Sequence, residues 1–267
     1  FRDTFRQGVI EQRLFLEALG RLELGPEVLA GCTGPSLPPG QTKFRFDVKK
    51  VVAQGQSMGG MYTNMIGAVE PQIRAVVPTG AGGFWSYFIL ETQLIGDSNE
   101  LLRLLLGVEH KLTFLHPALS LLQTTFEPAE PLVYMPRLAR RPLAGHPARP
   151  IYEPVGKDDS YFPTRVFDAV ALAYGHPQAG EVVWDSMQQV LALDGLDGVL
   201  PYPVKSNRPG YTAAVVQFLG DGVYDPHAIY SQLDAVKYQY GCFLSTFLET
   251  GTAVIPAPAP LGTACPK

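Results

Sequence analysis

Charge is what this sequence has least of. Only 17% of its residues are Asp, Glu, Lys or Arg, against about 25% in an average soluble domain, and 21 basic against 25 acidic residues leave a net charge of −4. A chain this weakly acidic has no electrostatic basis for holding nucleic acid or an anionic membrane surface. Long apolar runs are missing as well. The nearest, Leu101 to Val108, is short and broken by Arg103, far from the ~20 residues a spanning helix needs. No internal repeat is visible. No histidine pair sits at i, i+4 and no Cys/His cluster occurs, so metal catalysis has no ligand set. Gly80-Ala81-Gly82-Gly83 lacks the third glycine and the distant acidic residue of a dinucleotide fingerprint. No cofactor and no metal is expected.

Cysteine is scarce too, at three residues. Cys242 and Cys265 flank a helix-like segment and a Pro-rich tail, an arrangement that a disulfide could staple. Cys32 is then left as a free thiol or a link to a partner outside this chain. This favours a secreted or periplasmic protein; buried unpaired cysteines in a cytoplasmic protein are the alternative. The chain opens on Phe1 with neither a basic n-region nor an apolar h-region, so processing or cleavage is read as having removed what preceded it.

What is present is core material. Hydrophobic residues make up 46% of 267 residues, and a chain of this length buries roughly 75% of its unfolded surface. Phe1, Phe5, Val9, Leu16 and Leu19, with Ile10 and Leu14 beside them, recur at helical spacing over residues 1–24. Gly25-Pro26 and the run Gly34 to Gly40 then mark a surface connection. Strand-like runs follow at Val48–Ala53, Ile73–Val77, Pro150–Val155 and Thr212–Phe218. Helical patterns at Met58–Val69, Pro163–Tyr174 and Glu181–Leu193 lie between them. Such alternation predicts an α/β fold, a mostly parallel sheet with crossover helices. Ala228–Thr250 reads as one long helix, followed by the extended tail Pro256–Pro260.

Residues 84–148 break the rhythm and are expected to form an inserted, cap-like segment within a single domain spanning 1–267. Asp97 with Glu100 suggests a capping box opening Leu101–Leu106, with Gly107 closing it. A second helix should start near Pro117. From Pro128 to Pro150 proline is too dense for a helix or central strand. The arginines there, Arg137, Arg140, Arg141 and Arg149, read as a solvated connection.

Gly55-Gln56-Ser57-Met58-Gly59 fits G-x-S-x-G, a pattern that arises by chance in about one chain of this length in ten. Its setting raises its value, because a strand-like run precedes Ser57 and a helix-like run follows it. On so tight a turn, side chains at 55 and 59 are expected to collide with the chain. The serine hydroxyl would then project from the sheet, with the Met58 amide at a helix N-terminus pointing toward a developing oxyanion. A serine needs a base, and the base an orienting carboxylate. His110, His116, His146 and His176 read as surface residues. His227 differs, since it follows the Thr212–Phe218 strand directly and should emerge on the same sheet edge as Ser57. Asp158 and Asp159 both follow the strand between; Asp221 and Asp225 read as turn formers.

From Val48 to the C-terminus this resembles the α/β-hydrolase family, whose triad runs serine, acid, histidine along the chain. The family often writes its acid loop as Gly, two residues, Asp, three residues, Pro. Gly156, Asp159 and Pro163 match, so the resemblance implies Asp159 as the acid, beside Ser57 as nucleophile and His227 as base. It further implies a serine carboxylester hydrolase working through an acyl-enzyme, lipase-like or esterase-like. The run Phe84 to Phe88 suggests apolar or aromatic ester substrates, with Gln56, Phe84 and Trp85 as binding residues. A peptidase or amidase of the same fold and a non-catalytic binding protein are the alternatives. The chain departs from the family before the elbow, where several strands and the loop giving the other oxyanion amide would stand. The expectation is therefore that this is the C-terminal part of such a domain, with an N-terminal fragment as a possible separate chain.

Overall fold

The computed structural model describes residues 2–34 and 36–266. Apolar runs bounded by turns become strands here, and the inner ones are covered on both faces. The main sheet holds β1 (Val51–Gln56), β2 (Ile73–Thr79), β3 (Ile151–Gly156), β4 (Gln178–Ala179), β5 (Val199–Leu200) and β6 (Ala213–Phe218). Their spatial order is β1-β2-β3-β6-β4-β5, with every neighbouring pair parallel. β3 is buried at all six positions, as a doubly covered parallel strand should be. Along β2, Val76 faces one core cluster while Ala75 and Val77 face the other, the two-residue period of a pleat dividing one apolar run between two layers.

The described residues include ten α-helices: α1 (Arg2–Arg21), α2 (Met58–Val69), α3 (Trp85–Glu91), α4 (Ser98–Leu105), α5 (Pro117–Phe126), α6 (Pro131–Leu138), α7 (Thr164–Tyr174), α8 (Ser186–Leu191), α9 (Ile229–Gln232) and α10 (Asp234–Thr250). Residues of α2, α6, α7 and α8 build the larger core, and Phe243 of α10 packs with Tyr152 on the opposite face. Phe5 anchors α1 to the first layer, stacking on Tyr62. Phe1, part of the expected helical pattern, lies outside the described residues. Two short antiparallel ladders, Glu23–Leu24 with Phe44–Arg45 and Val204–Lys205 with Val254–Ile255, sit outside the main sheet. None of the described helices is long and apolar enough to cross a membrane.

Several expectations are corrected. The first strand begins at Val51 rather than Val48, because Asp47 holds a turn, its side chain accepting from Lys49 N (3.0 Å) and its carbonyl from Lys50 N (3.1 Å). The Glu181–Leu193 pattern shrinks to α8 and a 3-10 turn, since the Gln217 side chain takes the Val183 and Trp184 amides. The single C-terminal helix is broken at Leu233, which is extended (φ −91°, ψ 117°) and opens α10 afresh. β4 and β5 were not foreseen; two residues each carry no readable period.

The segment 84–148 divides in two. Leu90, Leu112 and Leu119 form a separate small core beneath α3 to α5. The proline-dense part nevertheless contains α6, because Pro131 stands at its first turn, where no amide donor is needed, and Glu130 caps it through Leu132 N (3.1 Å). Met135 and Leu138 are fully buried in the large core. Arg149 is no solvated residue either. It is fully buried, donating to the carbonyls of Ile73 (2.8 Å), Glu70 (3.1 Å) and Pro147 (3.2 Å), and burial lowers its pKa to about 10. Cys242 and Cys265 form a disulfide, and Cys32 is a free, exposed thiol.

Candidate active site

Ser57 is the single residue between β1 and α2, at φ 57° and ψ −123°. A non-glycine residue held there costs on the order of 1–3 kcal/mol and persists only where its surroundings force it. The forcing contacts are Ser57 N donating to Thr79 O (3.0 Å) and Met61 N donating to Ser57 O (2.9 Å). A Cβ on Gly55 would come within 2.2 Å of Gly59 O, and one on Gly60 within 2.8 Å of the Ala81 side chain. At Gly59 a Cβ would meet nothing within 4 Å. The close approach expected at 59 is therefore found at 60. Met58 opens α2 with no side chain capping that helix, so its amide lies at the positive end of the helix dipole.

The acid loop follows β3. Asp158 is exposed at φ 58°, whereas Asp159 is 3% exposed. Asp159 Oδ1 accepts from the amides of Tyr161 (2.7 Å) and Phe162 (2.9 Å), and Oδ2 lies 2.7 Å from His227 Nδ1. The structure thus brings Asp159, and not Asp158, to the histidine. His227 sits on a 3-10 turn, Pro226–Ala228, that Asp225 caps by accepting from His227 N at 2.7 Å. Asp225 also accepts from Ser160 Oγ, tying the acid loop to the histidine loop. Its pKa is lowered: burial pushes it up, but the hydrogen bonds from Ser160 and His227 N outweigh that. Asp225 is thus more than a turn former.

Gln56, next to Ser57, ties the elbow to the histidine loop. The Gln56 side chain donates to His227 O and accepts from Thr79 Oγ1 (2.7 Å). A Cβ on Gly80 would lie 3.3 Å from Gln56 Nε2 and 3.9 Å from Asp159 Oδ2, and one on Gly156 only 2.3 Å from Pro226 O. Gly156 is required for this approach, since a Cβ there would strike the Pro226 backbone, while Gly80 is required by its positive φ of 50°. The Gln56 amide is occupied in joining elbow to histidine loop, which is not the substrate contact expected of it. Trp85 is also placed elsewhere, 5% exposed in the core with Nε1 donating to Ala129 O (3.1 Å). Phe84 is half-buried, its ring clustered with Tyr87 and Phe114 at 5.7 and 5.2 Å.

Sequence reasoning missed three further features. Tyr161 stacks on the His227 imidazole, ring centroids 4.0 Å apart and planes 9° from parallel; its place two residues after the acid was the available signal. Glu153, fully buried on β3, accepts from Ala81 N (3.0 Å), and burial raises its pKa well above the ordinary carboxyl value. The Tyr174 hydroxyl lies 2.5 Å from Glu153 Oε2 and 2.7 Å from Asn64 Oδ1. One phenol proton cannot serve two acceptors; the second proton comes either from a protonated Glu153 or from the unpartnered Asn64 Nδ2 once that amide is turned toward the phenol. His176 is not at the surface: it is fully buried, and desolvation, aided by Arg208 and Arg140, pushes its pKa down to about 3. Of the other histidines, His116 caps α5 and His146 lies 3.3 Å from Arg149.

With Nδ1 engaged by Asp159, Nε2 is the ring nitrogen left to exchange a proton. Elbow, acid and histidine emerge after β1, β3 and β6, at the carboxyl ends of parallel strands and in that chain order. The fold is α/β-hydrolase-like. No protein-family model matches the chain, and neither does any curated protein. Among solved structures, a puromycin-hydrolysing peptidase of Mycobacterium tuberculosis is similar at 17% identity and a TM-score of 0.41, over 76% of this chain and 23% of that one. An acylaminoacyl peptidase of Pyrococcus horikoshii aligns at 12% identity and 0.42, over 83% and 25%. A Pyrococcus furiosus esterase aligns at 11% and 0.38, over 75% and 54%. The chain thus spans about a quarter of the two peptidases and about half of the esterase.

Proposed function

We propose that this chain carries the catalytic triad of a serine hydrolase that cleaves carboxylic esters through an acyl-enzyme. The observation that carries the reading is the 2.7 Å contact of His227 Nδ1 with a buried Asp159, at the same carboxyl edge of the sheet as a serine held on a strained turn. Two backbone amides already hold the other oxygen of Asp159, so the carboxylate is fixed before any substrate arrives. In the first half-reaction His227 Nε2 takes the Ser57 Oγ proton as Oγ attacks the ester carbonyl carbon. The tetrahedral oxyanion is met by the Met58 amide and the positive end of α2. Collapse breaks the carbon–oxygen bond to the alcohol, which leaves with the proton from His227. Water, deprotonated by His227, then attacks the acyl carbon, releasing the carboxylic acid and returning the proton to Ser57. The half-buried rings of Phe84 and Tyr87, with the exposed ring of Phe114 beside them, support an apolar or aromatic acyl group.

The test is fluorophosphonate labelling followed by peptide mapping, with parallel assays on p-nitrophenyl esters and p-nitroanilides. An adduct confined to Ser57, absent from Ser57→Ala, with esters turned over faster than anilides, is the expected result. An adduct on another serine, or none in folded protein, overturns the nucleophile. Faster anilide turnover would shift the reading to an amidase.

A further inference from the structure

We propose that Tyr161 is the positioning residue that holds the His227 imidazole in its working orientation, an inference that rests on the serine-hydrolase reading. A histidine held through Nδ1 alone can swing about that hydrogen bond, carrying Nε2 away from the serine. The Tyr161 ring removes this freedom by lying flat against one face of the imidazole at 4.0 Å and 9°. Phe162 adds a tilted contact at 5.7 Å and 52°. Only 12% of the His227 side chain remains exposed.

Residue 161 acts on both members of the pair. Its amide donates to Asp159 Oδ1 at 2.7 Å while its ring covers the base that Asp159 Oδ2 orients. The stack is not an accident of two loose loops, because Asp225 joins them through Ser160 and the His227 amide. As His227 accepts the serine proton, the resulting imidazolium lies over the electron-rich face of an aromatic ring, a cation–π contact. The ring therefore aids the transition state without touching substrate.

Three variants separate ring from hydroxyl and from backbone. Tyr161→Phe retains the ring; Tyr161→Leu and Tyr161→Met remove it, and all three keep the amide bond to Asp159. Expected is a fall in kcat of about tenfold in the Leu and Met variants, with KM changed by less than about twofold and near wild-type kinetics in Tyr161→Phe. The second readout is the proton NMR of His227. Loss of the ring should move the imidazole Hε1 signal downfield and broaden the Nδ1 proton shared with Asp159. A loss in Tyr161→Phe equal to that in Tyr161→Leu, or an effect on KM alone, overturns the proposal. So do unchanged His227 signals in the Leu and Met variants. A wild type without hydrolysis or labelling would refute the hydrolase reading instead, and the NMR comparison would still decide whether Tyr161 positions the ring.

Discussion

Mild acid should loosen this protein through His176. That ring is fully buried after α7, stacked 5.9 Å from Tyr174 at 8°, with Nε2 3.4 Å from the Tyr211 hydroxyl. Nδ1 has no hydrogen-bond partner among the described residues, and Arg208 and Arg140 oppose a further positive charge. The fold thus holds the neutral ring, with a pKa of about 3 against the ordinary 6.5. The unfolded ring takes a proton below 6.5 and the folded ring does not until about 3, so this stability is complete above 6.5 and drains away as pH falls through that window. At pH 5 the deficit is about 1.5 pH units at ~1.4 kcal/mol each, or about 2 kcal/mol. Urea unfolding of the wild type and of His176→Gln at pH 7 and pH 5 isolates the effect, because other titrating groups are common to both. The wild type should lose about 2 kcal/mol more than the variant on acidification. Equal losses, or a native-state His176 resonance titrating near pH 6.5, would refute the reasoning.

At Glu153 the sign is opposite. Its folded pKa is raised, so its stability is present below the unfolded value and lost as pH rises toward the folded one. Glu153→Gln, which can accept from Ala81 N and donate to Tyr174 without a titrating proton, should match or exceed the wild type at pH 8 in thermal melts. Glu153→Leu should cost about 1–3 kcal/mol by stranding the Ala81 amide. Cutting the Cys242–Cys265 disulfide, whose sulfurs close a loop across a separation of 23 residues, should cost about 3 kcal/mol by loop entropy. Chemical unfolding of Cys242→Ser/Cys265→Ser measures that loss, and a stability equal to wild type would contradict it.

Much of this molecule follows from local pattern. The alternation of apolar runs and helical stretches determined a parallel sheet, and the strand, glycine-flanked serine and helix determined the turn that strains Ser57. Each of these signals lies within some ten or twenty consecutive residues, where the pleat, the helical period and the steric demands of glycine operate. Chain order likewise pointed to a histidine after β6 and an acid after β3. The choice of Asp159 over Asp158 leaned on a family spacing; in the structure it rests on which side chain reaches His227, 68 residues away.

Tertiary structure alone decided the rest, because burial and cross-loop contact are not local properties. A histidine next to glycine and proline reads as a surface turn, yet His176 is sealed between α7 and β4. Arg149 in a proline-rich run looks solvated, yet its guanidinium closes carbonyls of Glu70 and Ile73, more than seventy residues earlier. Gln56 became a tie only when folding brought it to a carbonyl 171 residues along the chain. Trp85 went to the core, edge-on to Phe5, and Tyr161 went flat against the histidine, because an aromatic ring packs edge-on or stacked against the rings that other elements bring to it.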